Sequence, residues 1–368
     1  MRIVLLSILS GMQLFCFSQQ DSIHWIEPIE VIAHSSLDKV VFSHELLLKA
    51  DPNRSVADQL QLQSGAYIKS QGTAGLQTLT YKGLGAMHLN ISLNGFSLQS
   101  SMNGIMDLNL LNAYHYSALL FSEQNQRQAG RQNLGANIGL QSSTFGQKEV
   151  FLAYNSAGSK TAGAKWGTKS LQASVLSSWS PNRLNLDNYG RSGLLQNTAS
   201  EQHSAVIHGL DSLGGWTWRP LLRAQWADRQ IPASLGSTED GAQKDINLML
   251  SNRFYSPAMG RWKFQLNSGI WREQIDYRSE LRDQFFSSRS VNINHQLSGH
   301  RQLTKQLQFM FGLGQDASHY QSEALREKVF WSWIKSRVMS LRVNYKKTLM
   351  ELLGPGAQAD FLRRSKTG

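Results

Sequence analysis

Trp262-Lys263-Phe264-Gln265-Leu266-Asn267-Ser268-Gly269-Ile270 decides the fold. In an extended chain Trp262, Phe264, Leu266 and Ile270 share one face, and Lys263, Gln265 and Asn267 share the other. The same two-residue period runs through Ile246–Leu250, Val291–Asn294 and Leu307–Leu313, and more weakly through Leu171–Val175. Ser180-Pro181-Asn182 and Ser256-Pro257-Ala258-Met259-Gly260 punctuate these segments as turns. A soluble β-sandwich and a transmembrane barrel both alternate in this way. Two features favour the barrel. The polar face is rich in Gln, Asn and Ser, as a wet lumen requires. Aromatic residues (Tyr154, Trp166, Trp179, Trp216, Trp218, Trp226, Trp262, Trp271, Tyr277) gather near segment ends as interfacial girdles.

The mature chain has no apolar run long enough for a spanning helix, and a membrane protein without such helices must close its sheet. The start of the chain reads as an export signal. Arg2 is basic, Ile3 to Phe17 is a 15-residue largely apolar run, and Cys16-Phe17-Ser18 offers a cleavage step before Gln19. A membrane anchor is the alternative, but a spanning helix needs roughly 20 apolar residues. Cys16 is the only cysteine, so cleavage leaves no disulfide and no thiolate metal site. The net charge is +11, and residues 321–368 supply +6 of it (ten Lys/Arg minus four Asp/Glu). That uneven placement reads as a basic tail and not as a nucleic-acid surface.

Upstream of the alternating segments the texture changes. Ile29-Glu30-Val31-Ile32-Ala33 is a short extended piece after Pro28. Ser43 is a candidate cap for a short helix over residues 44–48, and Ser55 for a second one over Val56–Leu60. Between Gly65 and Gly95 short strands are broken by glycines 65, 72, 75, 83, 85 and 95, whose missing Cβ permits positive φ. Asn94-Gly95 is a tight hairpin signal.

This ordered set resembles the plug domain of TonB-dependent outer-membrane receptors. Ser55–Leu60 followed by Ser64-Gly65-Ala66-Tyr67-Ile68 is similar to the opening helix and strand of that plug. Gly72 to Gly83 is similar to its glycine-rich loop, strand and Arg-Gly step, with Lys82 in place of the arginine. Ile91–Gly95, Asp107–Leu111 and Leu134–Leu140 continue the resemblance, which covers residues 55–142. Lys cannot form a bidentate fork with a carboxylate, so an internal plug salt bridge at Lys82 is expected to be weaker or different.

The resemblance implies a mostly β protein: an incomplete transmembrane antiparallel barrel with a small α+β plug. The expected division is a signal peptide over 1–18, a periplasmic segment over 19–50, a plug over 51–145, a partial barrel over 146–350 and an irregular basic tail over 351–368. Ile29, Glu30, Val31, Ile32 and Ala33 resemble the box that the energy-coupling protein TonB captures as an added strand. Outward plug loops are expected near Ser70–Gln77 and Ser100–Met106. Ser70, Gln71, Thr73, Gln77, Ser101, Met102 and Asn103 would face a polar solute there, such as a siderophore or cobalamin. The implied partners are TonB, outer-membrane lipid and a small metal chelate, with no nucleic acid and no cofactor. The alternative is a passive pore or structural barrel without energy coupling.

Enzymatic chemistry finds no support. His203 and His208 are five apart, as are His295 and His300, which places each pair on opposite strand faces. There is no nucleophile elbow, phosphate loop or zinc motif. Length adds a further expectation. A plugged transporter barrel has about 22 strands and needs well over ~400 residues after the plug. Only 221 follow residue 147 (368 − 147), nine or ten strands are countable, and residues 325–350 alternate poorly. The expectation is a receptor cut short.

Overall fold

A computed structural model describes residues 44–48, 51, 53–64, 67–70, 75–122, 136–156, 158–181, 198–231, 241–279, 284–303, 307–322 and 330–343. The signal segment, the box at 29–33 and the tail at 351–368 lie outside the described residues.

The first folded body begins with an edge strand, β1 (His44–Leu47), and a helix, α1 (Val56–Ser64). Ser55 caps α1 in a reciprocal box. The Asp58 N–H donates to Ser55 Oγ at 3.2 Å, and the Ser55 N–H donates to Asp58 Oδ2 at 2.8 Å. The helix buries Val56, Ala57 and Leu60. The helix expected over residues 44–48 does not form. His44–Leu47 pairs instead with Ala118–Phe121. So short a helical segment gains few internal hydrogen bonds, whereas a neighbouring strand offers a complete ladder.

A two-stranded hairpin follows, β2 (Tyr67–Ser70) with β3 (Gln77–Thr80). The remaining strands β4 (Asn90–Leu93), β5 (Phe96–Ser97), β6 (Tyr116–Ser122) and β7 (Asn137–Ser142) join β1 in the order β1-β6-β7-β4-β5. Only β4 and β7 run parallel. Leu79, Leu93, Leu98, Leu108, Leu111, Leu119 and Ile138 form the core of this body.

Asn94-Gly95 turns the β4–β5 hairpin with φ of 48° and 85°. Lys82-Gly83 makes a second turn of the same kind, with φ of 47° and 79°, closed by Tyr81 and Leu84. Both match the mirror-image turn that hairpins favour. Gly85 is extended at φ −74°. Gly65 and Gly72 lie outside the described residues.

The second body is an 11-stranded antiparallel sheet. Its strands are β8 (Glu149–Tyr154), β9 (Lys160–Gly167), β10 (Leu171–Ser180), β11 (Ser200–Gly209), β12 (Asp211–Leu213), β13 (Trp216–Ile231), β14 (Gly241–Tyr255), β15 (Trp262–Ser279), β16 (Gln284–Gln302), β17 (Leu307–Ser322) and β18 (Phe330–Val343). Consecutive strands pair, except that β11 skips the short β12 to pair with β13, which also carries β12. Among the described residues β8 and β18 do not pair with each other, so the sheet is open. The poorly alternating stretch after residue 325 nonetheless contains β18, which pairs with β17 across Leu307–Tyr320.

Register assigns the two faces. One row across neighbouring strands reads Trp166, Ala173, Ile207, Leu222, Leu250, Ile270, Ile293. A parallel row reads Val150, Ala164, Val175, Ala205, Ala224, Leu248. These rows face away from the plug, and Ile207, Leu250, Ile270 and Ile293 are exposed. The opposite face carries the row Gly163, Leu176, Ser204, Gln225, Asn247, Glu273, Ser290. Gln225, Asn247, Glu273 and Ser290 are buried there. An apolar outside with a polar inside is the reverse of a soluble sandwich and is the pattern of a membrane barrel.

The apolar band ends in the row Tyr154, Lys160, Trp179, Glu201, Asp228, Lys244, where aromatic and charged side chains replace aliphatic ones. Tyr154 and Trp179 belong to this row, and Trp226 lies next to it on the same face. Trp271 lies on the other face. It is 7% exposed, mid-strand and turned inward, and Tyr277, six residues on, shares its face.

Candidate functional site

The plug-like body packs against the polar face of the sheet, and their meeting surface is the candidate site. It is held along β13–β16 by hydrogen bonds and ion pairs. Asp107 caps a 3-10 turn over Leu108–Leu110, accepting the Asn109 N–H at 3.0 Å. The same oxygen accepts the Gln77 N–H at 3.0 Å. Its other oxygen meets Arg229 Nη1 of β13 at 2.6 Å, while Arg229 Nη2 reaches Asp245 Oδ2 of β14 at 2.6 Å. All three side chains are at least nine-tenths buried. Burial pushes the Asp107 carboxyl above its usual range, and the Arg229 guanidinium with the two N–H donors opposes that push.

Further along, Ser100 Oγ donates to Glu273 Oε2 of β15 at 2.8 Å, and Ser101 Oγ donates to Asn292 Oδ1 of β16. Arg223 and Gln225 of β13 both donate to the Leu110 carbonyl. Phe96 lies on the wall at Gly269 of β15, where a methyl group on that glycine would stand 2.6 Å from the ring. A cavity of about 70 Å³ opens here, lined by Asn90, Phe96 and Ser101 of the plug and by Trp271, Asn292 and Asp316 of the wall.

Along β9–β11 the contact has another character. Tyr114 is fully buried, and its ring lies 4.2 Å from the Lys165 ammonium of β9. Gly163 makes room for it: a Cβ there would stand 3.2 Å from the Tyr114 ring and 2.9 Å from Leu176. His115 bridges two strands, with Nδ1 2.7 Å from Ser174 Oγ of β10 and Nε2 2.8 Å from Ser204 Oγ of β11. Burial, followed by the charges of Arg223 and Lys165, lowers the His115 imidazole to about 3, so the ring is neutral.

Of the residues singled out from sequence, Gly75 and Gln77 join the Asp107–Arg229 cluster, and Ser101 meets the wall at mid-strand. Gln77 is bound to Asp107, and the Gly75 carbonyl accepts Asn109 Nδ2 at 3.2 Å. Ser70 pairs with Gln77 across the β2–β3 hairpin and is exposed. Ser101 and Met102 are half-buried, Asn103 is exposed, and the Met102 N–H donates to Ser100 Oγ at 3.1 Å. Arg229 lies two residues before the end of β13, so this cluster is near the rim where the connections at 181–199 and 232–240 leave the sheet. Gln71 and Thr73 lie outside the described residues. Lys82 stands away from the cluster on its exposed turn, its Nζ 5.4 Å from the Tyr81 ring.

Sequence reading missed Arg229, Asp245, Glu273, Tyr114 and His115. A signal existed for the wall members. Arg229, Asp245 and Glu273 fall on the lumen parity of their strands, and Gly163 and Gly269 are mid-strand glycines that mark a close approach.

Fold and site together define a plugged barrel wall of the outer-membrane type. No protein-family profile and no curated protein matches the sequence. Solved structures do match. The FrpB iron transporter from Neisseria meningitidis is 10% identical with a TM-score of 0.59, over 76% of this chain and 49% of that one. The siderophore receptor PiuA from Acinetobacter baumannii is 10% identical with a TM-score of 0.51, over 78% and 50%. The hemophore receptor HasR of Serratia marcescens is 13% identical with a TM-score of 0.50, over 78% and 45%. The fold is that of the TonB-dependent receptors, plug and part of the barrel wall, and the chain spans about half the length of these structures.

Proposed function

We propose that this chain acts in the outer membrane as a TonB-dependent receptor for energised uptake of a scarce polar solute, such as a siderophore, a cobalamin or another metal chelate. The observation that carries the reading is a small glycine-cornered domain seated on the wet face of a sheet whose other face is apolar. A passive pore has no use for a domain that fills its lumen. The solute would meet the loops around Ser70–Gln77 and Ser100–Met106 at the rim with the long connections, which would face outward. Hydroxyl and amide groups of Ser70, Gln71, Thr73, Gln77, Ser101 and Asn103, with the Met102 thioether, are the proposed contacts. TonB would capture Ile29–Ala33 as an added strand and pull on the plug. The iron and siderophore proteins matched in fold make an iron chelate the first solute to try.

Deletion of residues 29–33 tests the reading. Uptake of a radiolabelled ferric siderophore by cells relying on this protein is expected to fall to the level of protonophore-treated cells. Uptake that continues unchanged after the deletion would favour the passive pore.

A further inference from the structure

Aromatic side chains at the second rim fix the level of four basic ones. Trp218 of β13 stacks on Phe254 of β14 with ring centroids 6.3 Å apart. Trp262 of β15 stacks on Phe264 at 5.7 Å and meets Phe311 of β17 at 5.9 Å. All five share strand parity with Leu222, Leu250, Ile270 and Leu313, so they stand on the apolar face. They mark the rim of the short turns at 214–215 and 256–261, at the other end of β13 from Arg229. At this level β13 to β16 each put one basic side chain on the polar face. Arg219 follows Trp218, Arg253 precedes Phe254, and Lys263 lies between Trp262 and Phe264. His300 follows Gly299, the partner of Phe311.

These groups are crowded and not neutralised. Arg219 and Arg253 are direct partners across β13 and β14, as are Lys263 and His300 across β15 and β16. Like charges placed directly opposite destabilise a sheet. Both guanidiniums nevertheless gather on one ring, with Cζ of Arg219 5.3 Å and Cζ of Arg253 6.0 Å from the Tyr255 centroid. Arg253 Nη1 also donates to the Tyr255 hydroxyl at 3.0 Å, which holds the fork in place. Among the described residues no carboxylate lies within 4 Å of Arg219, Arg253 or Lys263. The other rim differs: there Arg229 meets two carboxylates, and Lys244 stands 3.8 Å from Asp228. Arg219, Lys263 and His300 are exposed, so an anion can reach them.

We propose that this row is an anion site: Arg219, Arg253 and Lys263 hold a small water-borne solute carrying two or more acidic groups, at the mouth of the polar face opposite the long connections. A planar guanidinium matches a carboxylate bidentately, and Lys263 adds a point charge. Lipid phosphate belongs to the same level but to the other side of the sheet, because these side chains point away from the girdle. β16 joins the site to the cavity beneath the plug. Asn292 and Asn294 line that cavity, and His300 lies on the same face six residues further along. The inference rests on the receptor reading, under which this mouth opens to the periplasm and the site receives an acidic solute after it has passed the plug.

Calorimetric titration of tricarballylate, a tricarboxylate without a chelating hydroxyl, into the full chain tests the proposal, in non-ionic detergent at low ionic strength. Arg219→Gln with Arg253→Gln is expected to weaken binding about tenfold, as the loss of charge-assisted hydrogen bonds would. Lys263→Gln, at an exposed position, is expected to weaken it about threefold, and it decides the matter if the double variant does not fold. Lys148→Gln with Lys169→Gln removes the same charge from exposed positions elsewhere and is expected to leave binding unchanged. Three results overturn the site: no binding by the native chain, binding indifferent to Arg219, Arg253 and Lys263, or an equal loss in the Lys148 and Lys169 control. Titration needs no energy source, so site and receptor reading fail separately. Tricarballylate held by Arg219 and Arg253 in a protein whose uptake ignores the 29–33 deletion would leave the anion site standing and remove the energy coupling.

Discussion

His115 shows how much a single neutral ring can fix. It is buried between two serines and beside two cations, and its imidazole is lowered from an ordinary 6.5 to about 3. The unfolded chain takes up the proton below 6.5, whereas the folded one refuses it until about 3. Stability contributed by this residue is therefore complete above pH 6.5 and is lost as the pH falls towards 3, at about 1 kcal/mol per pH unit. Thermal unfolding in detergent between pH 7 and 4 should show this slope, and His115→Asn should flatten it. The socket at Gly163 makes a second residue-scale prediction. Gly163→Val drives two methyl groups towards Tyr114 and Leu176 and should cost about 1–3 kcal/mol through overpacking. Faster cleavage of the plug by added protease would report it. The sequence carried no signal for His115 and only a mid-strand glycine for Gly163. A lone histidine and a strand glycine acquire meaning only when the register brings β9, β10 and β11 under the plug.

At the scale of elements, local chemistry was read more faithfully. The Ser55–Asp58 capping box and the Asn94-Gly95 turn are set by residues within four positions of each other, and both formed where the sequence placed them. Ser55→Ala should cost about 1 kcal/mol of plug stability, measured by urea unfolding. The strand over His44–Leu47 was misread because its partner, β6, is more than 70 residues away, and pairing with a distant strand overrides a short helical signal. Trp271 was misassigned to a girdle for a related reason. Clustering near other aromatics suggested an interface, whereas its odd-numbered position on β15 put it with Asn267 and Glu273 on the lumen face.

For the whole molecule, the period of two residues carried the architecture, and register converted it into an apolar outer band and a polar inner face. Leu250 and Asn247 are three apart on β14 and lie on opposite faces. Leu250→Lys should cost about 2–4 kcal/mol in a bilayer if that face meets lipid near the midplane. In a soluble sandwich the same exposed position would accept lysine without loss. Refolding yield into phospholipid vesicles separates the two. What alternation alone did not convey was the fastening of plug to wall, because the hydrogen bonds described there join residues 59 to 191 positions apart. The most direct measurement locks that fastening. Ser101→Cys with Asn292→Cys replaces a plug–wall hydrogen bond in a chain whose only native cysteine is Cys16. Oxidation in intact outer membranes is expected to cross-link plug to wall and to stop energised ferric-siderophore uptake, with recovery on reduction. Uptake at the unlinked rate while the cross-link is complete would contradict the account.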